Sequence, residues 1–325
     1  MSADEPEMIE ISVIVVTWNG KNVASQCLES LQDYAKDQTV EVIVVDNAST
    51  DGTPEMIRER YPFVHLLQNQ ENLGFAKANN IGLAHCNGNF VCLVNSDVVV
   101  PNGCIEQAVA YMRQQPTIGM LGPKMYLPNG SIGQSCMGFP TVWNWFCRAL
   151  ALDNLSVGRQ IFGGFLRTDF TYEKTADVEV LTGWFWIVRR EALSQVGNLD
   201  ERYFMYGEDI DWCKRFYDAG WRIVFYPEVH AVHYCGASSA NAPTRFYIEM
   251  HRANMQYLSK YHGPVAQLGF WASALLHELV RIVGFASLYL TKKSMRNEAG
   301  YKVKRSLVCL RWLLGLTPVE RTPAR

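Results

Sequence analysis

The N-terminal third of the chain alternates short apolar runs with segments of helical spacing. The first run, ISVIVVT, contains β-branched residues without polar–apolar alternation, which is typical of a strand covered on both faces. Strands that alternate with helices predict a mostly parallel, doubly wound α/β sheet. The predicted strands lie at Ile11–Thr17, Val40–Val45, Phe63–Leu67 and Phe90–Val94.

Polar residues follow three of the predicted strands at the point where each strand ends. These polar loops are Thr17–Asn19, Asp46–Asn47 and Asn95–Asp97. In open α/β sheets, ligands bind beyond the carboxyl ends of the strands. We therefore expect the three loops to share one rim of the sheet and to form a binding site there.

Charge and motif content disfavour two classes of protein. The chain has 30 basic and 32 acidic residues and a net charge of −2, so no overall basic field points to a nucleic-acid partner. Dinucleotide-dependent oxidoreductases also use a doubly wound sheet, but they carry a GxGxxG turn after the first strand. Here the residues at that turn read TWNGKN, which argues against such an oxidoreductase.

The N-terminus and the cysteines indicate a reducing compartment. The opening residues, MSADEPEMIEIS, contain neither a basic nor an apolar segment of the kind that directs secretion. Nine cysteines are scattered from Cys27 to Cys309 without CxxC pairs or zinc-ligand spacing, as expected of free thiols. We therefore expect the body of the protein to be cytoplasmic.

Five stretches of the chain stand in an informative order. They are SVIVVTWNG (12–20), VIVVDNASTDGT (42–53), NLGFAKANNIG (72–82), LVNSDVVV (93–100) and GNLDERYFMYGEDIDWCKRFYDAGWRIVFYPEVHAVHYCGAS (197–238). Each stretch alone is a weak signal, but together they resemble glycosyltransferase family 2, of the GT-A fold, and especially its rhamnosyltransferase branch. The resemblance implies an inverting, metal-dependent glycosyltransferase that uses a nucleotide-diphosphate sugar donor.

The resemblance places the donor site in the first four stretches. Asp46 closes the second strand, where its carboxylate could accept from the ring N–H of uracil or thymine, with helix capping as the alternative. Lys77 could approach a phosphate, whereas Asn79 could contact the sugar or only pack its helix. The donor-binding candidates are Thr17, Asn19, Asp46, Asn72, Gly74, Lys77, Asn79, Asn95, Ser96 and Asp97.

The Asn95-Ser96-Asp97 loop stands where the family carries its acidic metal-binding motif. A hard divalent cation prefers oxygen ligands and bridges diphosphate oxygens, so Asp97 is the expected ligand and Asn95 a weaker neighbour. The loop has one carboxylate where the family pattern has two, as in the rhamnosyltransferase branch. His233 matches the family's histidine ligand, and His230 is its competitor. The resemblance thus implies Mg²⁺ or Mn²⁺ held by Asp97 and His233.

Glu208 and Asp209 begin a predicted helix, whose N-terminus stabilises negative charge. In the family this acidic pair supplies the catalytic base, and Asp209 is the matching position. Glu208 and Asp211 are candidates for binding acceptor hydroxyls. Trp184 is the candidate aromatic wall for the acceptor sugar, with core packing as the alternative. The segment 142–166 is a candidate acceptor-side flap, for which core packing is an equally good explanation.

The resemblance favours transfer of L-rhamnose from dTDP-rhamnose to a hydroxyl of a growing cell-surface glycan or lipid-linked acceptor. A galactofuranosyl or other UDP-hexose transferase of the same fold is the second choice. A non-catalytic glycan-binding scaffold is the alternative class, and the presence of Asp97, Asp209 and His233 argues against it. Release of nucleoside diphosphate would separate the enzyme from the scaffold.

The composition changes near His262–Pro264, which predicts a catalytic domain at 1–262 and a helical extension at 263–325. Basic residues far outnumber acidic ones from Lys292 onward. We expect the extension to lie on an anionic membrane surface at the cytoplasmic face without spanning the bilayer, with packing on the catalytic domain as the alternative. Its predicted apolar face carries Leu268, Trp271, Ala272, Leu275, Leu279, Ile282, Val283 and Leu290, and its polar face carries Gln267, His277, Glu278 and Arg281.

Overall fold

The structure is a computed structural model that describes residues 8–155, 159–162, 166, 170–235 and 243–317. These residues divide into two compact units, which we call the sheet unit and the helical unit. The described part of the sheet unit is 8–137, 170–204 and 208–235, and that of the helical unit is 138–155, 159–162, 166, 205–207 and 243–317.

The strands belong to the sheet unit. They are β1 Ile11–Thr17, β2 Val40–Asp46, β3 Val64–Gln68, β4 Phe90–Asn95, β5 Val98–Val99, β6 Ile118–Tyr126, β7 Cys136–Met137, β8 Ala176–Asp177, β9 Val180–Leu181, β10 Phe185–Arg189 and β11 Arg222–His233. Across the described residues, the main sheet has the order β3-β2-β1-β4-β10-β6-β11-β5, and β8 pairs with β11. Strands β3, β2, β1 and β4 run parallel, whereas β10 runs antiparallel to both of its neighbours. The predicted α/β fold with a mostly parallel sheet is confirmed.

The helices belong to both units. They are α1 Lys21–Leu31, α2 Thr53–Arg60, α3 Phe75–His85, α4 Cys104–Gln114, α5 Val142–Ala149, α6 Arg159–Phe162, α7 Arg190–Val196, α8 Glu208–Asp218, α9 Pro243–Thr291 and α10 Arg296–Leu313. Helices α5, α6, α9 and α10 lie in the helical unit, and the others lie in the sheet unit.

The centre of the sheet explains where the polar loops meet. β1 is covered on both faces of the sheet and is almost wholly buried, because removing its apolar residues from water on either face is favourable. Its parallel register sets Thr17 beside Asp46 of β2 and Val16 beside Asn95 of β4. The loops that follow β1, β2 and β4 therefore begin at one rim of the sheet, as the sequence predicts.

The structure corrects the prediction for β11. The sequence suggests a strand at Trp221–Phe225 that ends near Pro227, with His233 beyond it, but β11 continues to His233. Its register against β6 shifts between Tyr226 and His230. A register shift accommodates a proline, which has no N–H to donate to the ladder. His233 is consequently held by strand pairing and does not lie in a loop.

The α5 segment of the helical unit begins at a capping box. The Thr141 hydroxyl accepts from the Asn144 backbone N–H, and the Asn144 side chain accepts from the Thr141 backbone N–H. Trp145 is buried, and its ring meets Phe270 edge to face with centroids 4.9 Å apart. Parts of the segment predicted as an acceptor-side flap, namely 156–158 and 163–165, lie outside the described residues.

Helix α9 is interrupted. Gly263 has φ 78° and ψ −178°, and Pro264 follows it. A residue with positive φ cannot continue a right-handed helix, so α9 consists of a proximal half, 243–262, and a distal half, 264–291. The interruption coincides with the composition change in the sequence.

Candidate active site

Asp46 is fully buried at the end of β2, and its two oxygens differ. Oδ2 accepts from the Ser49 backbone N–H at 3.0 Å, whereas Oδ1 has no hydrogen-bond partner within the described part of the chain. Burial raises the pKa of this carboxyl, although hydrogen bonds from Ser49 act in the opposite direction. A buried acceptor without a donor is costly, so a ligand N–H that reaches Oδ1 would be bound favourably.

Thr17 and Asn19 flank the same position. Thr17 is buried beside Asp46, and its Oγ1 lacks a hydrogen-bond partner among the described residues. Asn19 adopts a φ of 48°, and its Oδ1 accepts from the Thr50 backbone N–H at 2.7 Å. Its own backbone N–H donates to Ser49 Oγ at 2.8 Å. Asn19 therefore ties the loop after β1 to the loop after β2.

Asn47 joins the second loop to the segment that precedes α3. Its Nδ2 donates to the Gly74 carbonyl at 3.1 Å, and its Oδ1 accepts from Asn69 Nδ2 at 2.9 Å. Gly74 has φ 83°, and a Cβ there would lie 2.3 Å from the Phe204 carbonyl oxygen. Both the backbone conformation and the close approach require glycine at this position.

The remaining candidates on the α3 side have different surroundings. Asn72 Oδ1 accepts from the Gly74 backbone N–H at 3.0 Å, which shapes the turn into α3. Lys77 is exposed on the first turn of that helix. Asn79 is buried and donates to the Phe75 carbonyl at 2.9 Å. Of the two roles considered for Asn79, this contact favours packing of the helix.

Asp97 and His233 form a buried pair. Asp97 Oδ1 lies 3.0 Å from His233 Nε2. The pair is positioned by the backbone, because β5 runs beside the end of β11 and the Tyr234 N–H donates to the Asp97 carbonyl at 2.9 Å. A carboxylate oxygen and an imidazole nitrogen this close together can reach one cation, and this donor set fits Mg²⁺ or Mn²⁺.

The neighbours of Asp97 are also partly buried. Ser96 is buried, and Asn95 is half-buried with its backbone N–H donating to the Trp184 carbonyl at 3.0 Å. His230, the alternative histidine, is exposed, and its ring meets the edge of Tyr126 with centroids 5.4 Å apart. Asp97 therefore pairs with His233 and not with His230.

Trp184 lies flat against the imidazole of His233. The two ring centroids are 5.5 Å apart with an interplanar angle of 17°. Trp184 is buried. One face of its indole contacts the His233 ring and orients that ring. Cys235 Sγ lies 3.4 Å from the second ring nitrogen of His233, Nδ1. The sequence reading of Trp184 as an acceptor wall did not include this contact.

The acidic residues at the start of α8 differ in environment. Asp211 is fully buried, and its Oδ2 lies 3.0 Å from Arg215 Nε, which gives it a structural partner. Burial, reinforced by the nearby Asp209 charge, raises the pKa of the Glu208 carboxyl well above its usual value. Asp209 is half-buried, and its Oδ1 accepts from the Ile210 backbone N–H at 2.8 Å.

Asp209 lies close to the segment that carries Trp184. A Cβ placed on Gly183 would be 3.6 Å from the Asp209 Cβ, and Gly183 directly precedes the tryptophan that stacks on His233. The structure therefore connects the start of α8 to the Asp97–His233 pair through two consecutive residues.

Comparison with known protein families identifies the family of this chain. The family model for "Glycosyl transferase family 2" matches residues 12–197, which is more than half of the chain. The chain belongs to glycosyltransferase family 2. The family resemblance seen in the motifs is thus confirmed, and the protein is a glycosyltransferase.

Similar proteins extend this assignment. An N-acetylglucosaminyl-diphospho-decaprenol L-rhamnosyltransferase from Mycobacterium tuberculosis is 29% identical over 314 residues, which cover 90% of this chain and 97% of that protein. A mannosyltransferase from Pyrobaculum calidifontis, solved with GDP-Man and Mn²⁺, aligns with a TM-score of 0.52 at 20% identity, covering 95% of this chain and 89% of that chain. S. aureus TarS 1–349 in complex with UDP aligns with a TM-score of 0.51 at 18% identity, covering 94% and 90%. The two structural likenesses concern the fold, and they confirm its GT-A type.

For a family 2 glycosyltransferase, sequence reasoning found the acidic residues of the rim but missed the side chains that hold them. The sequence predicts Asn47 and Ser49 as turn or helix-capping residues and Cys235 as a free thiol. Asn47 contacts Gly74, 27 residues along the chain, whereas Ser49 and Cys235 contact Asp46 and His233, three and two residues away. The dense run of Asn, Ser and Thr after β2 was the available signal, because such residues commonly bond backbone groups in loops.

Proposed function

We propose that this glycosyltransferase transfers L-rhamnose from dTDP-rhamnose to a hydroxyl of a lipid-linked saccharide acceptor, with inversion at the anomeric carbon. The similarity to a mycobacterial L-rhamnosyltransferase over almost the whole length of both proteins supports the choice of sugar. One observation carries the proposal. A buried Asp46 oxygen that has no hydrogen-bond partner among the described residues and the Asp97–His233 pair lie in the same region of the sheet.

Asp46 provides the nucleoside end of the proposed site. Thymine and uracil each present one ring N–H, and the unpartnered Oδ1 of Asp46 is an acceptor for it. Thr17 Oγ1, which also lacks a partner within the described residues, lies alongside and is a second polar contact. Asn19, Asn47 and Asn72 support this end by fixing the loops, and the exposed Lys77 is available to a phosphate.

Asp97 and His233 provide the diphosphate end. In the proposed enzyme they hold a divalent cation, which supplies positive charge against the leaving diphosphate. Asn95 and Ser96 lie in the same loop as Asp97, and we assign them secondary contacts with the nucleotide-sugar donor. Trp184 keeps the His233 ring in place by stacking on it, and the Cys235 thiol lies against Nδ1.

Asp209 is the proposed catalytic base. It would remove the proton from the acceptor hydroxyl as that oxygen attacks the anomeric carbon from the face opposite the leaving group. A single displacement of this kind inverts the configuration and needs one base. Glu208, whose raised pKa favours the protonated form, is suited to donate a hydrogen bond to an acceptor oxygen. Asp211, because it pairs with Arg215, supports the start of α8.

The acceptor determines the proposed location. A lipid-linked saccharide lies at a membrane, so we place the enzyme on the inner face of the cytoplasmic membrane as a peripheral protein. Residues 1–262 are the proposed catalytic domain, and 263–325 are the proposed membrane-associating extension. The basic composition from Lys292 onward supports an anionic surface as its partner.

A donor panel tests the proposed function. Purified protein is incubated with Mn²⁺ or Mg²⁺, a membrane lipid extract as acceptor, and in turn dTDP-rhamnose, UDP-galactofuranose, UDP-GlcNAc and GDP-mannose, and release of nucleoside diphosphate is measured. We expect the fastest release from dTDP-rhamnose. Preference for UDP-galactofuranose would replace the sugar and keep the reaction, whereas donor binding without release in the presence of acceptor would favour a glycan-binding scaffold.

A further inference from the structure

The helical unit has a polar cluster in its interior. Tyr247, on the proximal half of α9, donates to Glu278 Oε1 on the distal half at 2.6 Å. His251 Nε2 lies 3.3 Å from the same carboxylate oxygen, and both His251 and Glu278 are fully buried. The Arg305 guanidinium of α10 lies 4.1 Å from the centre of the Tyr247 ring. Polar and charged side chains thus join all three helical segments.

The outward face of the distal half of α9 is apolar. Leu268, Leu279, Val283 and Leu290 are exposed by 63%, 50%, 71% and 73%. These residues belong to the face that the sequence predicts to be apolar, whereas His277 and Glu278 of the predicted polar face are buried. The helix therefore presents an apolar stripe outward, and its inward face buries His277 and Glu278 together with Phe270 and Ala274.

Such a distribution is the reverse of what water selects. Helices of water-soluble proteins turn the apolar stripe towards the core and the polar stripe towards solvent. Single exposed leucines are common, but a contiguous apolar stripe marks a contact surface. Among the described residues, the exposed large apolar side chains outside the helical unit are Met8, Ile132, Tyr217 and Tyr234, and all the others lie within it. The surface is therefore a property of this unit.

Basic residues accompany the apolar stripe. Lys292, Lys293 and Arg296 are exposed at the turn between α9 and α10, and Lys304 and Arg311 are exposed along α10. The exposed apolar residues Tyr301, Leu307 and Val308 share that helix, and the exposed Leu314 directly follows it. Lysine and arginine side chains near an anionic leaflet are attracted to its headgroups. Charge and apolarity together match an anionic lipid surface better than an apolar protein groove.

The position of the basic residues also decides the orientation. Among the described helices, α9 is long and apolar enough to cross a membrane by length and composition. However, a spanning α9 would carry Lys292, Lys293 and Arg296 through the bilayer to its opposite face, against the preference of lysine and arginine for the cytoplasmic side. A helix lying in the plane of the interface keeps these cations among the headgroups while its apolar stripe enters the acyl region.

We propose that the distal half of α9 and α10 form a hairpin that lies in the plane of an anionic bilayer leaflet. The stripe Leu268, Leu279, Val283 and Leu290 is buried at the boundary of headgroups and acyl chains. The basic residues of the turn and of α10 contact the headgroups. The polar cluster of Tyr247, His251 and Glu278 stays in the interior of the helical unit, away from the lipid. The proposal deepens the membrane location given under the proposed function and rests on it.

Vesicle flotation of the full-length protein tests the surface. One variant carries Leu279→Gln, Val283→Gln and Leu290→Gln, a second carries Lys292→Gln, Lys293→Gln and Arg296→Gln, and Ile132→Gln on the sheet unit is the control. Vesicles of phosphatidylcholine are compared with vesicles that also contain phosphatidylglycerol. We expect the apolar variant to lose at least about tenfold in partitioning to both, the basic variant to lose only the gain from phosphatidylglycerol, and the control to match the wild type.

Fluorescence gives a second measurement that does not depend on loss of binding. In a Cys235→Ser background, an environment-sensitive dye is attached to Val283→Cys or, as control, to Ile132→Cys. We expect vesicles to increase the emission at position 283 and lipids with nitroxide near the headgroup to quench it, with no change at position 132. Wild-type partitioning of the apolar variant, or equal responses at both positions, would overturn the proposal. Turnover of a water-soluble acceptor analogue is measured with the flotation variants, which keep Cys235, so that failure of membrane insertion is separable from failure of the proposed reaction.

Discussion

The sheet unit and the helical unit both bury apolar residues, but they differ in the apolar side chains that they expose. In the sheet unit, Ile14 and Ile43 are fully buried in central strands, and the candidate carboxylates Asp46 and Asp97 stand at or just beyond strand ends. In the helical unit, Glu278 is buried and Leu290 is 73% exposed. The hydrophobic effect applies equally to both units. The proposed membrane contact of the helical unit accounts for this difference, because an apolar surface that meets lipid is not exposed to water.

The largest effect should come from the proposed catalytic base and should be confined to the chemistry of the sheet unit. Asp209→Asn keeps the size of the side chain but removes the proton acceptor, so we expect kcat to fall by about a hundredfold or more with little change in donor affinity. Asp218→Asn, at the exposed end of the same helix, is the control. Near-normal kcat in Asp209→Asn, or a defect only in donor affinity, would move the base to Glu208 or Asp211.

A somewhat smaller effect is expected at the Asp97–His233 pair. Asp97→Ala should weaken apparent metal affinity and donor affinity together by roughly 10- to 100-fold, and His233→Ala should do so less severely. Excess EDTA should abolish turnover, and Mn²⁺ should restore it. His230→Ala serves as the control because His230 is exposed and its ring meets the edge of Tyr126. Full activity in chelator would refute this site as a metal site.

The next effect tests the buried carboxylate of the nucleoside end. Asp46→Asn preserves shape but replaces a charged acceptor, so donor affinity should fall by about tenfold while kcat changes little. Isothermal titration with dTDP and UDP measures this directly, with the exposed Glu55→Gln as control. Equal affinities for wild type and Asp46→Asn would leave capping through Ser49 as the only role of Asp46.

The smallest expected effect lies in the interior of the helical unit. Glu278→Gln removes the charge that Tyr247 and His251 contact, so the free energy of unfolding should fall by roughly 1–3 kcal/mol. Thermal unfolding in detergent should show a Tm lower by about 2–4 °C for each kcal/mol. Glu298→Gln, whose partner Lys302 forms an exposed pair on α10, should change Tm far less. Similar shifts in both variants would mean that the buried cluster does not organise the unit.

Much of the sheet unit was predictable because its signals are local. The apolar run of β1 and the polar residues that end β1, β2 and β4 follow from strand periodicity and from the rule that parallel strands present their carboxyl ends together. Asp46 and Asp97 could be chosen from those positions. The insertion of antiparallel β10 between β4 and β6, which brings Trp184 onto His233, depends on long-range pairing that no local pattern encodes.

The helical unit was predictable only in part. Periodicity separates Leu279 and Val283 from His277 and Glu278, and the composition marks the interruption at Gly263. Periodicity does not say which face turns inward, because that depends on what surrounds the helix. Glu278 contacts Tyr247 and His251, which lie 31 and 27 residues before it in the sequence. The burial of Glu278 therefore becomes visible only once the helices are packed.

Turnover with two acceptors tests most directly whether the sheet unit carries the chemistry and the helical unit the membrane contact. The wild type, Asp209→Asn and the Leu279→Gln/Val283→Gln/Leu290→Gln variant are assayed with a water-soluble acceptor analogue and with the lipid-linked acceptor in anionic vesicles. We expect Asp209→Asn to fail with both acceptors, and the apolar variant to keep wild-type kcat/KM with the soluble acceptor but to lose about tenfold with the vesicles. Equal rates for the apolar variant and the wild type on vesicles, or equal losses with both acceptors, would contradict this division of roles.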